Sequence, residues 1–201
     1  MYSQISSAFF GHTSDASKFG TIVYNGCIAR GCGKAFSGYN TDRIDVVGCD
    51  VDDCGVVFNV YVPLFVVTGG EIVLANTGGT MRGVSCEVVC EAVLDGLAVT
   101  VEVNSSFVYS VDAGTVVTIQ NCTIGTNGSY GVYLMADACN LTFNNNVIGN
   151  KTYYFRLGTN YVLSADYNTY GAAGSFYLDG VVYNWANYRI ATGQDAHSTY
   201  G

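Results

Sequence analysis

An internal repeat restricts the fold of this chain more than any other feature of its sequence. When residues 22–36 are laid over residues 44–58, six of the fifteen aligned positions are identical. The identical pairs are Ile22 and Ile44, Gly26 and Gly48, Cys27 and Cys49, Cys32 and Cys54, Gly33 and Gly55, and Phe36 and Phe58. Two further copies begin at Asn121 and, 25 residues later, at Asn146. A period of 22–25 residues with short β-forming segments predicts the coils of a parallel β-helix.

Each copy of the repeat has a bend residue in front of its cysteine or valine. This position holds Gly26, Gly48, Asn121 and Asn146, and Gly and Asn enter the left-handed backbone region at the lowest cost. Stacking of the coils at about 4.8 Å would turn repeated apolar residues into interior ladders. The predicted ladders are Ile22/Ile44, Cys27/Cys49 and Phe36/Phe58. Residues 60–116 keep the composition but lose the register, so we expect irregular turns there.

The composition agrees with an all-β domain. Val, Tyr, Thr, Phe and Ile, which fit a pleated strand, are abundant, and only 12% of the chain is charged. We predict a single all-β domain, a right-handed parallel β-helix solenoid, with coils over residues 1–163 and an irregular aromatic-rich capping segment over residues 164–201. A leucine-rich repeat is disfavoured because its leucine spacing is absent. A β-sandwich would show hairpin turns without a fixed long period.

The charge of the chain argues against two classes of partner. Its formal net charge is −8 with eight Lys and Arg residues, too few for the basic stripe that a phosphate backbone or an anionic membrane requires. No apolar run is long enough to span a bilayer. The first residues also lack the features of a signal peptide. We expect this chain to be a mature or partial form of an extracellular or cell-surface protein.

The eight cysteines allow three interpretations. The repeat places Cys27 over Cys49 and Cys32 over Cys54, so these four could form reduced ladders in the core, where cysteine behaves as a small apolar residue. Stacked cysteines also lie within disulfide range, although the geometry of strand neighbours is often poor. A metal site would use the same two close pairs. We favour the reduced core.

The last forty residues carry a family resemblance. The segments Ser164–Tyr170 and Ala191–Ser198, with Trp185 between them, resemble the region after the last regular coils of right-handed β-helix proteins of the pectate-lyase-like superfamily. The resemblance implies association with polysaccharides. More chain usually follows this region in such proteins, so we expect a fragment. Solenoid ends with unpaired strands would favour self-association.

The resemblance implies a Lys or Arg base and acidic residues that often hold Ca²⁺ beside a uronate carboxylate. The candidate catalytic acids are Asp52 and Asp53, and these two with Asp50, in the same copy of the repeat, are candidate ligands of a calcium ion. Candidate basic residues are Arg30, which aligns with Asp52, and Lys34, Lys151 and Arg156. The alternative interpretation of Arg30 and Asp52 is a surface ion pair of little consequence.

Aromatic residues concentrate after residue 153. Tyr153, Tyr154, Trp185 and Tyr188 are candidates for stacking on sugars, with packing in the core as the alternative. His197 lies between Asp195 and Ser198, too close in sequence to indicate a triad, and we expect it to tie the final loop to the solenoid.

Two functions remain open from the sequence. The first is a β-helix that binds or processes an extracellular polysaccharide and, if it is an enzyme, is a lyase or a glycoside hydrolase. The second is a non-enzymatic structural or adhesive solenoid that acts through its rigidity and end-to-end assembly.

Overall fold

Short strands from successive coils pair in parallel and build three sheets along the axis of a solenoid. The structure is a computed structural model that describes residues 9–12, 20–39, 41–52, 54, 56–74, 81–101, 105–125 and 128–201. Within this part, about six turns separate the first and last strands of sheet A. The predicted fold class, an all-β parallel β-helix, is confirmed.

Strands are numbered in chain order. Sheet A contains β2 (Thr21–Asn25), β5 (Arg43–Val47), β8 (Leu64–Thr68), β11 (Glu91–Asp95), β14 (Val116–Gln120), β17 (Asn140–Asn144) and β20 (Val162–Asp166). Sheet B contains β3 (Ile28–Arg30), β6 (Asp50–Asp52), β9 (Glu71–Leu74), β12 (Ala98–Val101), β15 (Thr123–Ile124), β18 (Val147–Ile148), β21 (Thr169–Tyr170) and β24 (Thr199–Tyr200). Sheet C contains β1 (Phe9–His12), β4 (Lys34–Tyr39), β7 (Val56–Val60), β10 (Met81–Cys86), β13 (Ser105–Ser110), β16 (Gly128–Leu134), β19 (Lys151–Leu157), β22 (Ser175–Leu178) and β23 (Val181–Tyr183).

The interior ladders follow the predicted register. Ile22 lies beside Ile44 in sheet A, and Phe36 lies beside Phe58 in sheet C, where their rings stack with centroids 5.4 Å apart. The segment between residues 60 and 116 also forms coils. In sheet A, the longest separation in sequence between paired residues of neighbouring coils is that from Leu64 to Glu91. This separation is longer than the 22-residue repeat, so the sequence loses its register while the coils persist.

The bends between sheets A and B confirm three of the four predicted positions and correct one. Gly26, Gly48 and Asn121 have φ values of 60°, 56° and 55°. In the next coil the left-handed residue is Asn145, with φ 57°, and not Asn146. Thr123 pairs with Val147, so Asn146 occupies the position of a cysteine and its buried side chain points inward. The repeat is therefore 24 residues long at this point, one fewer than the sequence comparison predicted.

Asn146 belongs to a ladder of side chains that accept hydrogen bonds from the bends. Its Oδ1 accepts the N–H of Cys122 at 2.9 Å, and its own N–H donates to Asn168 Oδ1 at 2.9 Å. Asn168 donates its N–H to Ser198 Oγ at 2.8 Å. These bonds satisfy backbone donors that the turn would otherwise bury without partners.

One interior column of sheet C alternates small and large residues. Gly83, Phe107, Gly131 and Tyr154 follow one another in successive coils, and each precedes another buried residue. A Cβ atom at Gly83 would lie 2.5 Å from the backbone oxygen of Phe107, and one at Gly131 would lie 2.6 Å from that of Tyr154. The Phe107 ring thus fills space that Gly83 leaves free, and the Tyr154 ring fills space that Gly174 leaves free.

The C-terminal residues cover the end of the solenoid. Strand β23 pairs antiparallel with β22, and helix α1 (Trp185–Thr192) then begins after Asn184, whose side chain accepts the N–H of Asn187. Strand β24 adds the last strand of sheet B. The boundary predicted between residues 163 and 164 falls within β20, and coil pairing continues to Leu178. No helix in the described ranges is long and apolar enough to cross a membrane.

A buried carboxylate fixes this cap to the coils. Asp195 is fully buried and accepts hydrogen bonds from Asn168 Nδ2 at 3.0 Å, Tyr170 OH at 3.0 Å, Tyr188 OH at 2.6 Å and Ser198 Oγ. Burial, followed by the charge of Asp195, raises the pKa of Tyr188 far above its usual value. Two backbone groups of β20 are also capped, because the N–H of Ala165 donates to Gln194 and its carbonyl accepts from Asp195.

Candidate functional site

Half-exposed tyrosines and arginines form a continuous surface on the outside of sheet C. We call this surface the tyrosine patch; it comprises Arg82, Tyr109, Tyr130, Tyr133, Tyr153, Arg156 and Tyr177. The patch runs along the solenoid axis from β10 to β22. At the spacing of neighbouring strands, these five strands span about 19 Å.

The register of sheet C explains why these residues meet. Tyr109, Tyr133, Arg156 and Tyr177 occupy the same position in four successive strands. The residues beside them in each strand belong to the buried column that contains Phe155. The residues on both sides of the tyrosine column, such as Phe155 and Leu157 on either side of Arg156, are buried, so the side chains between them alternate to the outside of the strand. A column of tyrosines is therefore displayed on the surface.

The rings are packed against one another. Tyr109 stacks on Tyr133 with centroids 5.1 Å apart and planes 18° apart, and Tyr130 stacks on Tyr153 at 5.7 Å and 9°. Tyr130 also meets Tyr133 edge to face at 5.0 Å. Tyr177 meets Tyr153 at 6.1 Å in the same manner. Packed rings lose few rotamers on binding, so the surface is preorganised.

Arg156 lies at the centre of the tyrosine patch. Its Cζ is 5.5 Å from the Tyr130 centroid, 5.1 Å from that of Tyr133 and 4.9 Å from that of Tyr177, and its Nη1 donates to Tyr130 OH at 2.9 Å. Burial lowers the pKa of Arg156, but the Tyr130 hydrogen bond and the nearby tyrosines outweigh it and raise the pKa overall. Its buried Nε has no hydrogen-bond partner. Among the residues that the structure describes, no carboxylate forms an ion pair with it.

Arg82 and Glu87 close one end of the patch. The Arg82 Cζ lies 3.6 Å from the centroid of Tyr109. Its Nη1 lies 3.2 Å from Ser85 Oγ, which donates to Glu87 Oε1 at 2.7 Å. Glu87 Oε1 also lies 4.0 Å from Arg82 Nη1. The carboxylate therefore holds the guanidinium over the ring, in a cation–π contact.

The predicted base Lys34 reaches the same end from the N-terminal side. In the amide orientation that satisfies both neighbours, Asn59 accepts from Lys34 Nζ at 2.7 Å and donates to Glu87 Oε1 at 3.1 Å. Lys34 lies on β4 and Arg156 on β19. Five strand spacings, about 24 Å, separate these strands. The two predicted bases therefore share a sheet but not a reaction centre.

The structure separates the four predicted sugar-stacking residues. Tyr153 lies in the tyrosine patch, whereas Tyr154 and Tyr188 are fully buried and present no face to a ligand. Tyr154 points inward beside Phe155, because both residues belong to the interior of sheet C, and its OH donates to the carbonyl of Gly171. Burial raises the pKa of Tyr154 above its usual range. The prediction of sugar stacking therefore does not fit Tyr154 or Tyr188.

Trp185 lies at the cap, away from the patch. It stacks on Tyr200 with centroids 5.3 Å apart and planes 10° apart, and it contacts Tyr170 at 5.3 Å. A shallow cavity of about 500 Å³ lies beside it and beside Arg189 and Ile190 on helix α1. Most of the Trp185 ring contacts are with the core, so the cap, rather than a ligand, accounts for its position.

The predicted acidic corner lies on sheet B. Arg30 pairs with Asp52 in neighbouring strands, as the sequence alignment predicts. Both residues border a shallow depression of about 150 Å³ together with Asp50 and Glu71. Asp50 Oδ1 accepts the N–H of Glu71 at 3.1 Å. Asp53 lies outside the described residues.

Metal binding at this corner remains a prediction. No three Asp, Glu, His or Cys side chains within the described ranges come close enough together to hold a metal ion. Asp50 and Asp52 supply oxygen ligands of the kind that calcium prefers. Asp50 already accepts a backbone hydrogen bond. A calcium ion there would need ligands beyond these two carboxylates.

Lys151 is buried and does not belong to the patch. It is 4% exposed, and its Nζ donates to the carbonyl of Gly125. Burial lowers the pKa of Lys151 to about 8. Such a pKa suits a general base, but the amine faces the corner between sheets B and C. Lys151 and Arg156 therefore point to different environments and do not form a pair.

The histidine near the C-terminus ties two loops together. His197 Nδ1 lies 2.7 Å from Asp166 Oδ2, and the backbone N–H of His197 donates to Asp166 Oδ1 at 2.8 Å. Its ring stacks on Tyr167, with centroids 4.8 Å apart. Ser198 bonds to Asp195 instead, so the three residue types do not form a catalytic relay. This geometry agrees with the structural role expected for His197.

No disulfide bond joins the eight cysteines in this structure, and seven of them are buried. Cys27 and Cys49 form the predicted ladder, in which Cys49 Sγ accepts the N–H of Cys27 at 3.2 Å. Burial is the main factor that raises the pKa of Cys122, to about 11. These features agree with the reduced core that the repeat favours.

Sequence reasoning missed most of the tyrosine patch. Tyr109, Tyr130, Tyr133 and Tyr177 were not among the candidates, and neither was Arg82. Their signal is a tyrosine at a fixed position in successive coils. That signal becomes visible only when turns of unequal length are removed from the alignment.

Comparison of the chain with protein-family models, with curated proteins and with solved structures found no match. The resemblance to the pectate-lyase-like superfamily therefore remains a prediction, and the geometry of the solenoid carries the functional argument.

Proposed function

We propose that this solenoid binds an extracellular polysaccharide along the tyrosine patch. The observation that carries the proposal is the column of Tyr109, Tyr133, Arg156 and Tyr177 on successive strands. Because the rings stack on one another and on Arg82 and Arg156, their hydroxyls and edges, rather than their faces, are the groups that would contact a sugar chain, chiefly through hydrogen bonds. A column parallel to the solenoid axis fits an extended chain better than a single compact ligand.

The charge of the patch favours a ligand with acidic groups. Arg156 forms no ion pair with a carboxylate among the described residues. A guanidinium held among aromatic rings can bind a carboxylate through charge-assisted hydrogen bonds. Polyuronates are therefore the first ligands to test. The net charge of −8 opposes the long-range attraction of any polyanion, nucleic acid and polyuronate alike, so binding of a polyuronate would depend on local contacts at Arg156.

The patch supports binding better than cleavage. Hydrolysis by the common mechanism needs two carboxylic residues beside the scissile bond. Glu87 borders the patch, and it is already engaged by Ser85 and Arg82. Hydrolysis of the polysaccharide would thus need a group beyond those assembled on this surface.

The test compares patch variants with a matched control. Tyr133→Ala and Arg156→Gln should each weaken binding to a polyuronate about tenfold or more, which corresponds to about 1.4 kcal/mol, as measured by isothermal titration calorimetry. The control is Tyr167→Asn, because Tyr167 is an exposed tyrosine at a bend where the two preceding coils carry Asn121 and Asn145. Its affinity should remain that of the unmodified chain.

The same panel should include neutral polysaccharides and should be run with and without calcium. If Arg156→Gln weakens binding to polyuronates but not to neutral polysaccharides, Arg156 is the residue that binds the carboxylate of the ligand. Equal binding by all variants would remove the patch as the site. Absence of binding to every polysaccharide by folded protein would leave the structural or adhesive solenoid as the better proposal.

A further inference from the structure

Two cysteines flank the turn that connects sheet C to sheet A beside the patch. Cys86 is the last residue of β10 and Cys90 immediately precedes β11, so three residues separate them. Both side chains point inward, with exposures of 1% and 3%. Interaction with the Cys90 thiol, together with burial, raises the pKa of Cys86. The two thiols therefore lie near each other in the interior, at the two ends of one turn.

The next coil provides independent evidence that these two positions face each other. Ser110 pairs with Cys86, and Thr115 is the equivalent of Cys90 because Glu91 pairs with Val116. The hydroxyl oxygens of Ser110 and Thr115 lie 3.1 Å apart. Short side chains at these two positions thus meet across the turn, and two Sγ atoms reach further from the backbone than two hydroxyl oxygens.

We propose that Cys86 and Cys90 form a disulfide bond when the chain folds in the presence of a disulfide oxidant such as oxidised glutathione. The thiolate of one cysteine attacks a glutathione sulfur and releases one glutathione thiol. The second cysteine thiolate attacks the mixed disulfide and releases the other. Two protein thiols lose two electrons and two protons, and one oxidised glutathione becomes two reduced molecules. Because both thiols are buried in the folded chain, the exchange occurs before this turn closes.

The other cysteines have different surroundings. Cys49 Sγ accepts the N–H of Cys27 and lies 3.5 Å from the carbonyl of Val47, so this ladder pair is engaged with the backbone. Cys122 donates to the carbonyl of Gln120 at 3.1 Å, and its neighbour in the ladder is Asn146. Stacked strand neighbours also have poor geometry for a disulfide bond. Cys86 and Cys90 lie in one turn and avoid that constraint.

The bond would act on the tyrosine patch through the turn that it closes. Glu87 lies in this turn and binds Ser85, which in turn contacts Arg82 over Tyr109. Fixing the turn therefore fixes one end of the patch. This consequence rests on the proposed function, whereas formation of the bond does not.

The sequence offers a direct measurement. Cleavage after Glu71, Glu87 and Glu91 by a glutamate-specific protease gives fragments 72–87 and 88–91, each with a single cysteine. The chain is refolded with oxidised and reduced glutathione, its free thiols are alkylated under denaturing conditions, and it is then digested without reduction. Mass spectrometry should find the two fragments joined, with two hydrogen atoms fewer than their sum, and reduction should separate them.

The matched control is the double variant Cys86→Ser/Cys90→Thr, which copies Ser110 and Thr115 of the next coil. It should refold under the same conditions, as judged by its circular dichroism, and should give no joined fragments. Folded unmodified chain whose fragments are separate and fully alkylated would overturn the proposal. Linkage of Cys86 to any other cysteine would overturn it as well. Glycan binding is measured separately, so failure of either proposal is recognised independently.

Discussion

At Gly131 a single added carbon atom would meet the neighbouring coil. Its Cβ would lie 2.6 Å from the backbone oxygen of Tyr154 and 2.7 Å from Ile148 Cδ1. The backbone oxygen belongs to a paired strand and cannot move aside without breaking the ladder. We expect Gly131→Ala to lower the free energy of unfolding by about 1–3 kcal/mol, measured by urea denaturation.

Gly20 provides the control for this prediction. A Cβ there would meet nothing within 4 Å, and the residue does not have a positive φ. Gly20→Ala should leave the free energy of unfolding unchanged or raise it by up to about 1 kcal/mol. Equal stability of the two variants would show that the column does not limit side-chain size.

The hydrogen-bonded carboxylate of Asp166 makes part of the stability depend on pH. The hydrogen bonds from the His197 side chain and backbone lower the pKa of Asp166. A carboxylate with a lowered pKa stabilises the folded state above its unfolded pKa, about 3.9, and this contribution is lost as the pH falls through the folded value. The Tm of the unmodified chain should therefore exceed that of Asp166→Asn at pH 7, and calorimetry should show the difference vanishing in acid. A difference that stays constant with pH would contradict this assignment.

At the scale of the elements, the sequence predicted the bends that recur at the same position of the repeat and missed the bend whose position shifts by one residue. Gly26, Gly48 and Asn121 were identified as bends because Gly and Asn are cheap in the left-handed region. The same reasoning placed the fourth bend at Asn146 because three asparagines, residues 144–146, precede Val147 and composition cannot distinguish them. The register does distinguish them, since the buried Asn146 supplies an acceptor for Cys122. A hydrogen bond between coils leaves no local signature in the sequence.

Helix α1 is held to the solenoid by Trp185. This residue contacts Tyr170, Phe176, Tyr188 and Tyr200 with centroids 5.3–6.1 Å apart. Its ring is half-buried, so Trp185→Ala should lower the free energy of unfolding by about 2–4 kcal/mol, less than the cost of removing a fully buried ring. Chemical denaturation measures the loss.

The control lies in the same helix. Ile190 is 83% exposed, and Ile190→Ala should change stability by less than about 0.5 kcal/mol. If Trp185 acts in packing alone, Trp185→Ala should also keep the affinity for polysaccharide. A large loss of affinity with unchanged stability would instead make the cap a binding surface.

For the molecule as a whole, the fold class could be predicted and the candidate site could not. Two aligned copies were enough to identify a solenoid. The tyrosine patch depends on five strands whose spacing in sequence varies, so residues such as Tyr109 and Tyr177 are far apart and appear unrelated. Of the predicted site residues, only Tyr153 and Arg156 belong to it.

The covered C-terminal end bears on self-association. Residues 184–201 cap β20 and β21 and enclose Tyr170, whose ring is fully buried. Unpaired strand edges promote association, so a chain that ends at Tyr183 should form dimers or larger species in light scattering. The unmodified chain should not assemble through this end. A truncated chain that stays folded and monomeric at high concentration would contradict the role of the cap.

The alternation of Gly83, Phe107, Gly131 and Tyr154 also limits how such a molecule can grow. If one coil were duplicated, two glycines or two large rings would become neighbours, leaving a void in one case and an overlap in the other. Duplication of two adjacent coils restores the alternation. We therefore expect gene duplication to lengthen this solenoid by an even number of coils wherever the alternating column continues.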